Sequence, residues 1–395
     1  MKLVIFSHYF APSIGGVENV TMSLACGLAR QASQDGTPKF DITLVTETPA
    51  GVFDDGLLPF RVIRRPKFGT LWRLFRDANL LHLAGPALVP LSVAWLLRKP
   101  AVIEHHTYQA ICPNGRLVHE PDRAVCPGHF QAGHFAECVR CQAKEISWAA
   151  SLVNLVLMFP RHLLSRAAAR NIAVTQHVLE RHALPHSSVI YHGIEDFVST
   201  SASRPASNRS APGTISFAYV GRFVSEKGIP ILLAASKILA NEGRSFTVHL
   251  IGDGPERPRV EEIIQREGIE HFVQITGYLT GTALTETLCG VDAVIMPSVW
   301  EETAGLSVIE QMMRGRLVIA SDIGGLAEIV GDAGLKFAHG DPHALAACMR
   351  KVIEDSSLIG ALGEKARERA RLHFARERMI EEHAKVYRHI LSGST

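Results

Sequence analysis

The sequence has no long apolar run. None of its 395 residues lies in a stretch approaching the roughly 18 to 20 uninterrupted apolar residues that a membrane-spanning helix needs. At the start, MKLVIFSHYFAP, a single lysine and a few apolar residues precede His8, too few for the apolar core of a signal peptide. The segment fits a buried first strand better. We therefore expect a soluble, cytoplasmic protein.

Strong net charge is also missing. The 41 basic and 39 acidic residues nearly cancel, leaving a formal charge of +2, and no basic stretch is interleaved with aromatic residues. No nucleic-acid partner is therefore expected. The sequence also has no G-x-G-x-x-G fingerprint, since the similar segment IGDGPE has Pro255 after its second glycine and no third glycine follows at the required spacing. This argues against a dinucleotide-dependent dehydrogenase.

Strand and helix patterns alternate along the whole chain. In the first half, KLVIFSH and AVIEHH are typical of buried strands, and Val17–Gln31 has the apolar spacing of a helix. In the second half, the strand ISFAYVGR is followed by a helical pattern over Ile229–Asn241. This alternation predicts an α/β fold with parallel, doubly wound sheets.

A polar segment divides the pattern into two halves. Residues 198–214 are mostly Ser, Ala, Pro and Arg, which is typical of a linker. We expect Rossmann-like domains over residues 1–197 and 215–370, the first carrying a Cys-rich insertion at 112–141. In such sheets ligands bind at the carboxyl ends of strands. The sequence thus predicts two domains facing a central cleft.

The segment GRFVSEKG, residues 221–228, follows the first strand of the second half. A glycine at the strand end allows a tight turn, and Arg222 and Lys227 would then lie at the start of a helix beginning near Gly228. Two cations and a helix N-terminus suit a diphosphate. The alternative is a surface loop with two solvated charges.

A second segment, WEETAGLSVIEQMMRG, follows the strand AVIMPS. If a helix starts near Leu306, Glu302 lies in the loop before it and Glu310 lies one turn inside. Carboxylates suit paired sugar hydroxyls, and Gly305 permits close approach of the backbone to a ligand. The alternative, acidic residues that balance a helix dipole, explains Glu302 better than Glu310.

Two glycine pairs also follow strands. One lies in SDIGGLAEIV, residues 321–330, and the other, Gly15 and Gly16, in PSIGGVENV. Either pair would let a loop backbone approach a ligand at a helix N-terminus. Each is ordinary architecture when it is taken alone.

Taken together, these segments resemble family-four glycosyltransferases of the GT-B fold over nearly the whole chain. The matching motifs, in order, are GGVE at 15–18, His106, GRFVSEKG at 221–228, GDGP at 252–255, ETAGLSVIE at 302–310 and GRLVIASDIGGLAE at 315–328. Each motif is modest, but their order and spacing both agree with the family.

The resemblance implies a retaining transferase that moves a sugar from a nucleotide-diphosphate donor of the UDP or GDP type to an acceptor hydroxyl. The acceptor would be a glycan or lipid-linked sugar, in cell-surface polysaccharide or glycoconjugate synthesis. The implied catalytic residues are His106, Arg222, Lys227 and Glu302, and the implied donor-binding residues are Gly15, Gly16, Ala304, Gly305, Leu306 and Glu310.

The resemblance also assigns roles to these residues. Arg222 and Lys227 would hold the diphosphate, Glu302 the sugar and Glu310 the ribose, while His106 would contact the transferred sugar. No Asp-x-Asp motif is present, so no cofactor is expected to be required for catalysis. The charged segment 371–395 would be a helix that packs back on the N-terminal domain.

Some positions depart from the family pattern. Ala304, Ser307 and Leu317 replace a Phe and two Pro residues, and His192 replaces an Asn. These changes leave the identity of the sugar open. Two alternatives share the expected fold: a nucleotide-sugar epimerase and a non-catalytic protein that binds nucleotide sugars.

Four of the seven cysteines lie within the insertion, with the spacing C-x13-C-x11-C-x2-C. They are Cys112, Cys126, Cys138 and Cys141. Their surroundings are polar and rich in Gly and Pro, and disulfides fit a cytoplasmic protein badly. The four either hold a structural zinc ion or remain unligated.

The next segment, ISWAASLVNLVLMFPRHLLSRAAAR, is apolar and then basic. Its apolar helix, followed by the basic residues Arg161, His162, Arg166 and Arg170, could rest on the inner membrane surface as a peripheral contact. The alternative is a buried helix with solvated basic residues.

Overall fold

The computed structural model describes residues 1–13, 15–32, 39–196 and 214–393. The chain forms two compact units: an N-terminal unit of Met1–Ile194 and Phe374–Thr395, and a C-terminal unit of Glu195–His373. The predicted linker, 198–214, lies outside the described residues except for Thr214.

The N-terminal unit is built on a seven-stranded parallel sheet. Its strands and an additional hairpin are β1 (Lys2–Ser7), β2 (Asp41–Thr46), β3 (Arg61–Arg64), β4 (Leu80–Leu83), β5 (Ala101–His105), β6 (Val118–His119), β7 (Ala124–Val125), β8 (Arg170–Ala173) and β9 (Ser187–Val189). The sheet order is β3-β2-β1-β4-β5-β8-β9, and β6 and β7 pair separately within the Cys-rich insertion. The near-continuous apolar runs of β1 and β4 are explained by burial on both faces of the sheet.

Six helices accompany this sheet in the first part of the chain. They are α1 (Gly16–Ala29), α2 (Phe68–Asp77), α3 (Leu88–Leu96), α4 (Phe135–Gln142), α5 (Trp148–Arg166) and α6 (Gln176–His182). The predicted helix over Val17–Gln31 is α1, which buries the apolar positions Val20, Leu24 and Leu28 as expected. Neither α2 nor α6 was predicted, because both are short and only a few of their residues are buried.

The C-terminal unit has a six-stranded parallel sheet in the order β12-β11-β10-β13-β14-β15. Its elements are β10 (Ile215–Val220), α7 (Ile229–Asn241), β11 (Phe246–Ile251), α8 (Arg257–Glu267), β12 (Val273–Gly277), α9 (Gly281–Cys289), β13 (Ala293–Met296), α10 (Leu306–Met313), β14 (Leu317–Ser321), α11 (Gly324–Val330), β15 (Leu335–Phe337), α12 (Pro342–Glu354) and α13 (Ser357–His373). Counted within the unit, the order is 3-2-1-4-5-6, that of a Rossmann fold. The predicted class, two Rossmann-like α/β domains, is confirmed.

The last helix, α14 (Arg376–Ser392), belongs to the N-terminal unit. Ile194 and the chain at Phe374–Arg376 exchange backbone hydrogen bonds of 3.0 Å, and α14 then packs on α1. The packing is close, since a Cβ added to Gly27 would lie 2.1 Å from Ile380 Cδ1. The boundary expected at residue 370 falls inside α13, which continues to His373.

Two loops of the C-terminal unit touch at Gly228. This residue precedes α7 with φ +64°, and a Cβ added to it would lie 2.0 Å from the carbonyl oxygen of Pro297, which follows β13. The left-handed backbone and the missing side chain are both needed for this contact. Gly228 therefore joins the loop after β10 to the loop after β13.

Gly228→Ala is expected to lower the free energy of unfolding by about 3 kcal/mol, from backbone strain plus overpacking. Gly243→Ala is the matched control, because Gly243 has a similar φ of +69° but open space around its Cα. That control should cost only about 1 kcal/mol, from backbone strain alone. Urea denaturation followed by circular dichroism measures both losses, and equal losses would contradict the packing role of Gly228.

Candidate functional site

The predicted residues of the C-terminal unit lie at the carboxyl ends of three adjacent strands. The loop after β10 carries Arg222 and Lys227, the loop after β13 carries Glu302 and Gly305, and α11, which follows β14, begins with the glycine pair at 324–325. Strand order reverses between β10 and β13, where ligands bind in open α/β sheets. The fold therefore collects these residues at its expected ligand-binding edge.

Lys227 and Glu302 form an ion pair. Lys227 Nζ lies 2.9 Å from Glu302 Oε2, and the Lys227 and Glu302 side chains are 18% and 5% exposed. The Ser298 hydroxyl donates a hydrogen bond to the other carboxylate oxygen of Glu302. Both oxygens of this buried carboxylate are thus held, while the lysine keeps some access to solvent.

The start of α11 packs directly on the backbone around Glu302. The Gly325 N–H donates to the Glu302 carbonyl oxygen at 2.7 Å, and a Cβ added to Gly325 would lie 2.2 Å from the Thr303 carbonyl oxygen. The glycine pair at 324–325 is therefore explained by packing of the start of α11 on the loop after β13, and it fixes the Glu302 backbone.

Helix α10 starts at Leu306, as the sequence predicts. Gly305 precedes it with φ +74°, and Ala304 is buried beside it. The first N–H groups of a helix have no partner within it and can donate to a ligand. Burial raises the pKa of the Glu310 carboxyl, and Arg314, which directly follows α10, offsets part of this effect by lowering it.

Arg222 is exposed, and its carbonyl oxygen accepts a 2.8 Å hydrogen bond from the hydroxyl of the buried Tyr219. The next residue, Phe223, donates its N–H to the Asp253 carbonyl oxygen at 2.9 Å. These contacts fix the backbone of the loop and leave the guanidinium at the surface. The structure thus brings Lys227 and Glu302 into contact and places Arg222 on the same loop as Lys227.

In the N-terminal unit, Gly15 precedes α1 and Gly16 is its first residue. His106 follows β5 and is 7% exposed, with Nδ1 3.0 Å from His192 Nε2. Burial lowers the pKa of His106, and the nearby Glu104 carboxylate offsets part of this effect by raising it. His106 is therefore held in a buried network of imidazoles around Glu104.

Sequence reasoning missed that network. Besides His106 and His192, the imidazoles of His82 and His383 lie 3.2 and 3.5 Å from Glu104 Oε2. Burial raises the pKa of Glu104, but the surrounding imidazoles outweigh it and hold that pKa well below its usual range. The one local signal was a glutamate inside the apolar strand AVIEH.

The four cysteines of the insertion surround one small cavity, together with Asn114 and His129. All four thiols are free and buried, and burial raises the pKa of Cys138 to about 12 and of Cys141 to about 11. Among the described residues, the two groups of potential metal ligands with donor atoms within 4.8 Å of one another both contain Glu104, and neither contains a cysteine.

Part of the C-terminal unit matches a family of known proteins. Residues 214–355 match the family Glycosyl transferases group 1. A 2-deoxystreptamine glucosyltransferase of Streptomyces kanamyceticus is 34% identical over 152 residues, which are 38% of this chain and 39% of that protein. A glycogen synthase of Mycobacterium tuberculosis is 29% identical over 228 residues, 57% of this chain and 53% of that protein. The chain thus spans about two fifths to one half of the length of these relatives.

Solved structures match nearly the whole chain. The Anabaena protein HepE in complex with UDP-glucose has a TM-score of 0.70 at 20% identity, covering 98% of this chain and 99% of that one. A sucrose-phosphate synthase of Thermosynechococcus elongatus has a TM-score of 0.72 at 20% identity and covers 100% of both chains. The protein has the GT-B fold of these structures, and its segment 214–355 matches the model of the group 1 glycosyltransferases.

Removing Lys227 leaves the Glu302 carboxylate buried without a compensating charge, and removing the Glu302 charge leaves the partly exposed Lys227 unpaired. Lys227→Met or Glu302→Gln alone should cost about 2 kcal/mol of unfolding free energy, and the double variant should cost clearly less than the sum. The exposed pair of Arg257 and Glu261, 2.8 Å apart, is the control, and its coupling should stay below about 0.5 kcal/mol. Denaturant titrations give both cycles, and additive losses at Lys227 and Glu302 would exclude a coupled pair.

Proposed function

We propose that the protein is a retaining glycosyltransferase that moves a sugar from a nucleotide-diphosphate donor to an acceptor hydroxyl. The observation that carries the proposal is the Lys227–Glu302 pair at the carboxyl ends of β10 and β13, in the unit that matches group 1 glycosyltransferases. A buried carboxylate paired with a partly exposed lysine at a ligand-binding edge is typical of a functional site.

The diphosphate leaving group gains negative charge as the bond to the sugar breaks. Lys227 and Arg222 lie on the segment that leads into the N-terminus of α7, so both cations and the helix dipole would act on a diphosphate bound there. Groups that interact more strongly with the transition state than with the bound donor raise the rate. Lys227 and Arg222 would act in this way on the leaving diphosphate.

Glu302 would bind the sugar rather than attack it. Its carboxylate oxygens are already held by Lys227 and Ser298, an arrangement that suits a hydrogen-bond acceptor better than a free nucleophile. Transfer with retention would then occur on one face of the sugar. A leaving phosphate oxygen would take the acceptor proton, the acceptor oxygen would bond to the anomeric carbon, and the bond to the diphosphate would break.

The donor would be a UDP- or GDP-sugar. The N–H groups at the start of α10 would face its sugar or phosphates, and Glu310 on the same helix would accept hydrogen bonds from the ribose. The complex of HepE with UDP-glucose favours UDP as the first nucleotide to test. By the family resemblance, Gly15, Gly16 and His106 would also contact the donor.

A donor sugar present at about 100 times its Kd is expected to raise the free energy of unfolding by roughly 2.7 kcal/mol. The melting temperature should rise accordingly. UDP-, GDP- and ADP-sugars are compared by thermal shift, and transfer is followed by NMR of the anomeric proton. Lys227→Ala should lower kcat/KM by about 100-fold or more through lost charge stabilisation.

Arg259→Ala is the matched control, because it removes a 53% exposed cation of the same unit. It should leave kcat/KM unchanged. Normal turnover by Lys227→Ala would refute the leaving-group role, inversion at the anomeric carbon would refute retention, and no shift with any nucleotide sugar would refute the donor site.

We further propose that α5 rests on an anionic membrane surface, which would suit a lipid-linked acceptor. The helix buries Ser151, Leu155 and Met158, and it exposes a broad apolar face. The exposed apolar side chains of the helix are Trp148, Leu152, Val153, Val156, Leu157, Phe159 and Leu163. Among the described residues no helix is long and apolar enough to span a bilayer. A face of this kind, ending near the exposed Arg166, suits binding in the plane of the interface.

The triple variant Leu152→Gln/Val156→Gln/Leu163→Gln should lose co-sedimentation with vesicles that contain phosphatidylglycerol, because it removes apolar area from the face. The control variant, Leu57→Gln/Tyr278→Gln/Leu372→Gln, changes side chains of similar exposure on other elements and should keep binding. If the wild type and the triple variant co-sediment with the vesicles to the same extent, the membrane role is contradicted.

The four cysteines are proposed to hold a structural zinc ion. They surround one cavity with buried, free thiols, and a thiolate bound to zinc is stabilised where burial alone disfavours it. The sulfur atoms would have to draw together to the spacing of a tetrahedral site. Such an ion would fix the insertion that follows His106.

A further inference from the structure

The N-terminal unit contains a carboxylate that is fully enclosed by side chains from distant parts of the sequence. Glu104 lies on β5, His82 on the neighbouring strand β4 and His383 on α14, and all three residues are at most 1% exposed. Glu104 Oε2 lies 3.2 Å from His82 Nε2 and 3.5 Å from His383 Nε2. None of these groups belongs to the proposed donor site.

These separations suit a tetrahedral metal ion. With bonds of about 2.0 to 2.1 Å, as for zinc bound to imidazole and carboxylate, neighbouring donor atoms lie roughly 3.3 Å apart. The ligand atoms of His82, Glu104 and His383 all lie within 4.8 Å of one another. Two imidazoles and one carboxylate are a common ligand set for such ions.

The hydrogen bonds fix which nitrogen of His383 faces the carboxylate without a proton. His383 Nδ1 lies 2.9 Å from the Met379 carbonyl oxygen, which only accepts, so this nitrogen carries the hydrogen. In the neutral ring, Nε2 then presents a lone pair to a carboxylate oxygen. Two lone pairs at 3.5 Å in a buried site need a cation between them.

The outer contacts also match those of metal ligands. A ligating histidine donates its other ring N–H to a carbonyl or another acceptor. His383 does so toward Met379, and His82 Nδ1 lies 2.9 Å from the Tyr387 hydroxyl oxygen. The remaining Glu104 oxygen, Oε1, has no hydrogen-bond partner among the described residues.

A second group, of Glu104, His106 and His192, is less suitable. His106 Nδ1 and His192 Nε2 are only 3.0 Å apart, so a hydrogen lies between them and one of the two nitrogens is protonated. Their distances to the carboxylate are also longer, at 3.7 and 3.9 Å. This group is therefore an imidazole pair beside the carboxylate.

We infer that His82, Glu104 and His383 bind one divalent transition metal ion of the zinc class. The ion joins β4, β5 and α14, and it thereby fastens the C-terminal helix to the sheet of the N-terminal unit. It is separate from the four cysteines and from the diphosphate-binding loops. It has a structural role, because all three ligands are closed to solvent.

The test is the metal content of the full chain, purified without a polyhistidine tag or chelator and measured by plasma mass spectrometry. The Cys138→Ser/Cys141→Ser variant removes the competing cysteine site and is expected to retain one equivalent of metal per chain. Adding Glu104→Gln or His383→Gln to it should abolish that equivalent. His389→Gln is the matched control, since His389 is an exposed histidine on the same helix, and it should keep the ion.

Cobalt reconstitution gives a second readout. Cobalt held by nitrogen and oxygen ligands shows visible d–d bands without the near-ultraviolet sulfur-to-metal band that thiolates produce. The cysteine variant should show the d–d bands alone, and removal of the metal should lower its melting temperature. The inference would be overturned if the cysteine variant folds, contains no metal and has a melting temperature that responds to neither zinc nor chelator. The positive charge between His383 and Glu104 would then be a proton on His383.

Discussion

The ion pair of Lys227 and Glu302 determines how the ligand-binding edge of the C-terminal unit is assembled. It joins the loop after β10 to the loop after β13, and the Glu302 carbonyl oxygen in turn accepts a hydrogen bond from the Gly325 N–H in the first turn of α11. A buried ion pair costs desolvation and is often no more stabilising than apolar packing. Its presence here is explained by the two side chains that it positions: the Lys227 ammonium, which is partly exposed to solvent, and the Glu302 carboxylate, which is held in one orientation.

The local parts of this site could be predicted from the sequence, and the contacts between them could not. The glycine at 228, the start of α10 at Leu306 and the strands that precede them follow from short segments with clear turn and periodicity signals. The direct contact of Lys227 with Glu302 depends on β10 and β13 being neighbours in the sheet. Sequence reasoning placed both residues in one site without pairing them.

The Glu104 network could not be predicted either, because its contacts join residues that lie even further apart in the sequence. His82, Glu104 and His383 come from β4, β5 and the C-terminal helix, and nothing near each residue indicates the others. For α5 the sequence left two alternatives open, because an apolar run suits a buried helix and a surface-binding helix equally. Burial of Ser151 and Ser165 with exposure of Leu152 and Leu163 shows a face that composition alone cannot reveal.

The two units share the strand order 3-2-1-4-5 and place a buried carboxylate near the carboxyl ends of their strands, yet they neutralise it differently. Glu302 meets a flexible lysine that is 18% exposed, so the cation can also reach an anionic ligand. Glu104 contacts imidazoles that are almost completely enclosed, so its charge can be neutralised only by groups inside the N-terminal unit. A buried carboxylate with an accessible partner suits the proposed donor site, and one with enclosed partners suits the proposed metal site that fixes the fold.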